Sequence, residues 1–161
     1  MLVGALSLLG GVAVASPAVD STVGCERVVL RGGPGAEDGF RILLDAVALP
    51  GRRHIAAGAA RTHDRSWPHF RNAGVAVRGG SQAVVVEVPE GWRDRVAVSW
   101  GASPPSSSVH FAACAGRPGR VWNSYSGGIH LRLAADCVPL YVRVGGRSTT
   151  VRVGVGRPCG G

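Results

Sequence analysis

Apolar and polar residues alternate along seven short, mostly valine-rich segments between residues 75 and 155. Alternation with a period of two predicts strands that bury one face and expose the other. No helical crossover separates the segments, so we expect them to pair in antiparallel fashion. The pattern predicts an all-β fold, an antiparallel β-sandwich that is immunoglobulin-like in the broad sense. The segments are residues 75–78, 84–88, 96–100, 109–113, 129–133, 140–144 and 151–155.

The first half of the chain has a weaker periodicity. Residues 25–30 predict a first strand, and the apolar segment 40–49 predicts another strand with a bulge, so that the total is eight or nine. Residues 52–72 show no clear period and predict a long ordered loop with one helical turn. Residues 16–23 predict a flexible N-terminus.

The last hairpin has a predicted register. Placing the valines of segments 140–144 and 151–155 on one face leaves Gly146-Arg147 as a two-residue loop. Glycine at the first central position suits a type II′ turn. In that register Tyr141 lies opposite Arg152, where the two side chains could form a cation–π pair.

The alternation also assigns individual side chains to the core or to solvent. Trp100 takes the apolar phase of its segment and is expected in the core, whereas Arg143 takes the polar phase and is expected to be exposed. Trp67 and Trp92 are expected in the core or at its edge.

The first fifteen residues form a segment of their own. Leu2 to Ala15 is apolar and free of charge, and it ends in a small-x-small triplet. This predicts a secretory signal peptide at residues 1–15, followed by a single domain at residues 16–161 that is secreted or held in the cell envelope. An uncleaved anchor is the alternative, although the segment is shorter than the roughly 20 residues that span a bilayer. We expect membrane contact only during export.

Export makes the four cysteines candidates for disulfides, and four cysteines allow three connectivities. Cys114 follows one predicted strand and Cys137 precedes another, so a Cys114–Cys137 bridge would close the glycine-rich segment between them. Cys25 would then pair with Cys159 and tie the first strand to the C-terminus. The spacing of the cysteines and histidines matches no zinc pattern.

The charge of the chain is compatible with an acidic partner. The formal net charge is +8 and every basic residue is arginine, whose guanidinium group binds anions through two hydrogen bonds. Arg132, Arg143 and Arg152 take the polar phase of the last three predicted strands, and they cluster on one face if these strands are neighbours. Such a face suits an anionic cell-envelope polymer or glycan, and the alternative is a basic surface that only maintains solubility. No nucleic acid partner is expected, because the basic residues are dispersed and no binding motif appears.

The segment 121–128 is the best candidate for a binding loop. It combines the aromatic rings of Trp122 and Tyr125 with the amide of Asn123 and with hydroxyl groups. Aromatic faces with polar neighbours suit sugar rings or peptide backbones. The alternative is that Trp122 and Tyr125 fold inward and cap the sandwich.

Signals for catalysis are weak. His54, His63, Asp64 and His69 lie close together in the irregular segment, but their spacing is not diagnostic of a metal site, and no GxSxG elbow is present. We expect no catalytic residue, metal or cofactor, and therefore a non-enzymatic protein. The alternatives are a small secreted hydrolase that uses the segment from His54 to His69, and a structural surface protein with no discrete ligand.

A series of short, distinct motifs lies along the C-terminal two-thirds of the chain. They are Trp67-Pro68 with Phe70, Ala73-Gly74, Trp92-Arg93, Ser99-Trp100-Gly101, the segment 122–128, Cys137-Val138-Pro139-Leu140 and the segment 153–157 before Cys159. In order and spacing the chain resembles a family of small secreted proteins of actinobacterial type for which no activity is established. The resemblance implies an extracytoplasmic location, and it implies no activity and no functional residue.

Overall fold

Thirteen strands make up most of the computed structural model, which describes residues 20–29, 39–51, 57–116 and 121–160. Helical structure in these ranges is confined to single 3-10 turns at Cys25–Arg27 and Glu90–Trp92, and none of it is long and apolar enough to cross a membrane. The predicted signal peptide and its cleavage site lie outside the described residues. The strands are β1 Asp20–Val23, β2 Phe40–Leu43, β3 Val47–Pro50, β4 Ala60–Arg61, β5 His69–Asn72, β6 Val75–Arg78, β7 Val84–Glu87, β8 Val96–Trp100, β9 Ser108–Phe111, β10 Trp122–Tyr125, β11 Gly127–Leu131, β12 Asp136–Val144 and β13 Arg147–Val155.

The strands form three sheets, which we name here. The large sheet has the order β1-β9-β7-β12-β13, the β6 sheet has the order β10-β6-β3-β2, and the β11 sheet has the order β4-β5-β11-β8. Buried apolar side chains from all three sheets join in one cluster. The all-β class is therefore confirmed, and each of the seven alternating segments contributes a strand, β6 to β9 and β11 to β13.

The assignment of core and surface side chains follows the alternation. Trp100 is 0% exposed, and its Nε1 donates a hydrogen bond to the carbonyl of Ala73 at 2.8 Å. The side chain of Arg143 is 48% exposed. Both predictions are confirmed. Trp67 and Trp92 are half-buried, and Trp92 packs against the core as an edge residue.

The N-terminal strand is not where the periodicity placed it. Residues 20–23, predicted to be flexible, form β1, whereas Cys25–Arg27 is a 3-10 turn and Val29 makes only an isolated bridge to Ser124. β1 pairs with β9 in parallel, with Val23 opposite Phe111, while the other strand pairs are antiparallel. Parallel pairing is possible here because a long stretch of chain separates the two strands.

Residues 40–49 form a hairpin of β2 and β3 rather than one bulged strand. The turn is tight, since the N–H of Ala46 donates to the carbonyl of Leu43 at 3.0 Å. Leu44 and Asp45 adopt positive φ values of 52° and 56°, as a type I′ turn requires. Aspartate tolerates this conformation, but leucine gives no sequence signal for it.

Two further segments predicted as loops contain strands. Within residues 57–72 the chain forms β4 and β5 and no helical turn, while residues 52–56 lie outside the description. The segment predicted as a binding loop contains β10, which pairs with β6. The count is therefore thirteen strands in the described ranges instead of eight or nine.

The last hairpin closes one residue earlier than predicted. Its loop is Gly145-Gly146 rather than Gly146-Arg147, and Arg152 lies opposite Pro139 rather than Tyr141. Each residue of β12 therefore pairs with a β13 residue two positions before the predicted one. A shift of two positions leaves every side chain on its predicted face, so the alternation of apolar and polar residues cannot distinguish the predicted register from the observed one. Gly145 has a φ of 56°, which supplies the positive φ that the first position of a type II′ turn requires.

All four cysteines form disulfides, as predicted, but their pairing corrects the expected one. The bridges are Cys25–Cys114 and Cys137–Cys159, not Cys114–Cys137 and Cys25–Cys159. The strand pairing explains this, because β1 and β9 run side by side and deliver Cys25 and Cys114 to the same end. Antiparallel pairing of β12 and β13 likewise brings the start of one strand beside the end of the other.

Candidate functional site

Arg132, Arg143 and Arg152 are not brought together on one face. Arg143 and Arg152 belong to the large sheet, whereas Arg132 follows β11, which pairs with β5 and β8. Arg143 forms an ion pair with Glu87 at 3.4 Å, and Glu87 also binds Arg93 at 2.7 Å. Arg143 therefore shares one carboxylate with Arg93, which lies closer to it.

Arg152 instead lines an open cleft of about 390 Å³ where two sheet edges meet. β2 is an edge strand of the β6 sheet and β13 is an edge strand of the large sheet. Arg41 of β2, Arg152 of β13 and Arg157 line the cleft, and none of its described lining residues is acidic. The rest of the lining is leucine, valine, proline, glycine and Cys159. We call this site the arginine cleft.

The three arginines of the arginine cleft differ in whether they form ion pairs. Arg157 binds the carboxylate of Asp136 at 2.8 Å, and the side chain of Asp136 is only 6% exposed. Arg41 and Arg152 are exposed and form no ion pair with another described residue. Among the described residues, two of the three positive charges therefore have no acidic partner.

Replacing Arg157 with glutamine is expected to lower the free energy of unfolding by about 1–3 kcal/mol, because a buried carboxylate loses a charged partner. Asp136 would keep the backbone N–H of Cys137, which donates to it at 2.8 Å. Urea denaturation measures the loss. Adding Asp136→Asn to this variant should recover part of it, since the buried charge is then gone. Two variants of equal stability would contradict this account of the ion pair.

The aromatic segment 122–125 lies mainly inward. Tyr125 is buried 4.9 Å from the ring of Phe111, and its hydroxyl lies 3.6 Å from the sulfur of Cys114. Burial, with a smaller effect of the Glu26 charge, raises the pKa of Tyr125. Asn123 is buried and its Nδ2 donates to the carbonyl of Ala115 at 3.4 Å.

Trp122 differs from its buried neighbours in this strand. It is half-buried, with the guanidinium of Arg78 4.9 Å from its ring. Trp122 is therefore the one member of the predicted set of Trp122, Asn123 and Tyr125 that presents part of a ring to a ligand.

The candidate catalytic segment does not assemble a cluster of its own. His63 and Asp64 are exposed, while His69 lies on β5 with a buried Nδ1 that has no hydrogen-bond partner. His54 lies outside the described residues. In the described ranges no group of three or more His, Cys, Asp or Glu side chains is placed to hold a metal ion.

A serine–histidine contact lies on the half-exposed face of the β11 sheet. The Oγ of Ser99 on β8 and the Nε2 of His130 on β11 are 2.8 Å apart. The ring of Phe70 on β5 packs 4.7 Å from that of His130. Burial lowers the pKa of His130, and the charge of Asp64 acts in the opposite direction. A neutral imidazole beside a hydroxyl can accept its proton.

Comparisons with protein-family models, with curated proteins and with solved structures return no match for this chain. Membership of a secreted family of actinobacterial type therefore stays a prediction. The arginine cleft and the serine–histidine contact are the two candidate sites in the part of the chain that the structure describes.

Proposed function

We propose that this protein is a secreted or envelope-associated β-sandwich that binds an anionic cell-envelope polymer or glycan in the arginine cleft. The observation that carries the proposal is that three arginines line one cleft, and among the described residues only Arg157 has an acidic partner, Asp136. The exposed side chains of Arg41 and Arg152 supply two charges for recognition.

The shape and lining of the arginine cleft suit one unit of a polymer. Ligand pockets commonly measure roughly 300–1,000 Å³, and the cleft, at about 390 Å³, lies near the lower end of that range. Guanidinium groups bind phosphate and carboxylate oxygens with matched geometry. The valine, proline and glycine surface between the arginines would contact the uncharged part of the same unit. Because the cleft is open, a long chain could continue beyond it.

Location and fold form part of the same proposal. Two disulfides fit an oxidising compartment outside the cytoplasm, and the apolar segment from Leu2 to Ala15 fits export. We take the large sheet as one layer of an immunoglobulin-like sandwich and the two four-stranded sheets as the other, since their buried faces share one core.

The test is titration with poly(glycerol phosphate), with polygalacturonate as a carboxylate polymer and with neutral dextran. We expect binding to one or both anionic polymers that weakens with salt, as the Debye length falls from about 10 Å at 0.1 M to about 3 Å at 1 M. A double variant, Arg41→Gln with Arg152→Gln, should bind roughly 30-fold more weakly, because each arginine near an anionic surface contributes about 1 kcal/mol.

The matched control removes two arginines elsewhere. Arg61 and Arg65 are exposed and lie outside the cleft lining, so Arg61→Gln with Arg65→Gln lowers the net charge equally and should change the affinity less than threefold. Equal losses in the two double variants would mean diffuse charge attraction rather than a site. Absence of binding to either anionic polymer at low salt would favour a structural surface protein with no discrete ligand.

A further inference from the structure

Ser99 and His130 are not an isolated pair, because several neighbouring side chains surround their contact. Ser99 and His130 project from neighbouring antiparallel strands, with Gly128 opposite Ser99 and Ala97 opposite His130. Gly128 has no side chain and Ala97 has only a methyl group, which leaves space between the strands. The hydroxyl of Ser99 and the imidazole of His130 therefore meet diagonally across the strand pair. The site is far in sequence from the residues of the arginine cleft and shares none of them.

The irregular segment before β5 adds a carboxylate to this surface. The Oδ1 of Asp64 accepts hydrogen bonds from the N–H groups of Ser66 at 2.8 Å and Trp67 at 3.3 Å, which hold it in place. Its negative charge partly opposes burial, which is the larger effect and lowers the pKa of His130. A carboxylate near an imidazole favours the imidazolium that forms when the ring takes a proton.

Aromatic side chains flank the contact on the same side of the sheet. Phe70 lies opposite His130 in register and packs against its ring. Arg132, which follows directly after β11, places its guanidinium 5.4 Å from the ring of Trp67. The surface around Ser99 and His130 therefore combines the apolar rings of Phe70 and Trp67 with the charges of Asp64 and Arg132. The apolar rings suit an apolar acyl group.

We propose that Ser99 and His130 form a nucleophile–base pair that hydrolyses carboxylic esters with an apolar acyl group. The Oγ of Ser99 attacks the ester carbonyl carbon while its proton moves to the Nε2 of His130. The bond to the leaving alcohol then breaks, and the alcohol oxygen takes that proton from the imidazolium. Water attacks the acyl-serine, gives a proton to His130, and releases the carboxylic acid as Ser99 regains its proton. The sum is ester plus water to acid plus alcohol.

Labelling with an alkyl fluorophosphonate tests the proposal, because this probe reacts with serines that a neighbouring base activates. Intact mass should show one adduct, and peptide mapping should place it on Ser99. Ser99→Ala should abolish the adduct and the hydrolysis of p-nitrophenyl butyrate. His130→Gln should slow labelling by about 100-fold, the lower limit of what a general base contributes. Ser99→Ala removes only the hydroxyl group, so this variant still tests the proposal if His130→Gln fails to fold.

Two controls separate this activity from other causes. Ser148 is exposed on β13, and Ser148→Ala should label at the wild-type rate. The variant with Arg41→Gln and Arg152→Gln should also label at that rate, so loss of polymer binding and loss of labelling are independent results. Labelling spread evenly over several serines, no labelling, or equal rates for His130→Gln and wild type would overturn the proposal.

Discussion

Replacing Cys25 and Cys114 with alanine is expected to lower the free energy of unfolding by about 4–5 kcal/mol, because loop-closure entropy grows with the span of the bridge. This disulfide joins residues 89 positions apart. The Cys137–Cys159 disulfide spans 22 positions, and in the same chain-entropy model its removal costs about 3.4 kcal/mol. Urea denaturation of the two paired variants measures the difference, which should be about 1 kcal/mol in favour of the longer loop.

The position of β1 makes the longer bridge still more important. β1 is an edge strand whose one partner is β9, and the Cys25–Cys114 bridge follows directly after that pairing. Thiol titration of the denatured, unreduced protein should find no free thiol, and peptide mapping should join Cys25 to Cys114. Greater destabilisation on loss of Cys137–Cys159 would mean that native contacts outweigh the span of the closed loop.

The strands of the second half could be predicted because their environment is two-sided. Each buries valines on one face and exposes polar residues on the other, as in β12 and β13, and only a period of two satisfies both faces. β1, β4 and β10 are short, lack clear alternation and depend on their neighbours for burial. Local pattern therefore could not reveal them, as expected when tertiary context decides strand formation.

Pairing partners could not be predicted from the alternation. A strand carries the same pattern whichever neighbour it has, so β11 could be expected beside β12 although it pairs with β5 and β8. The disulfide pairing follows from those neighbours, and the separation of Arg132 from Arg143 does too. Chain order predicts strand neighbours only as a tendency.

The two candidate sites depend on contacts between distant parts of the chain. Arg41 and Arg152 come from edge strands of different sheets, and no local signal links them. Ser99 and His130 both take the polar phase of strands that could be predicted, but their contact exists only because β8 pairs with β11. The residue types of both sites could therefore be read from the sequence, but their positions next to one another depend on the topology of the sheets.

Trp100→Ala is expected to lower the free energy of unfolding by about 3–5 kcal/mol, the usual range for removing a large buried aromatic side chain. Trp100 is the largest of the fully buried side chains, and its ring lies 6.0 Å from that of Phe111. The substitution leaves a cavity between the sheets and removes the hydrogen bond to the Ala73 carbonyl. Urea denaturation followed by circular dichroism measures the loss, because it does not depend on the deleted fluorophore.

Arg143→Ala and Trp100→Phe are the matched controls for this substitution. Arg143 is exposed and Glu87 keeps Arg93 as a partner, so its removal should cost about 0.5 kcal/mol or less. Trp100→Phe keeps most of the apolar volume but leaves the carbonyl of Ala73 without its donor, and its cost should be intermediate. Similar losses for Trp100→Ala and Arg143→Ala would contradict the assigned strand faces, because the two residues would then share the same surroundings.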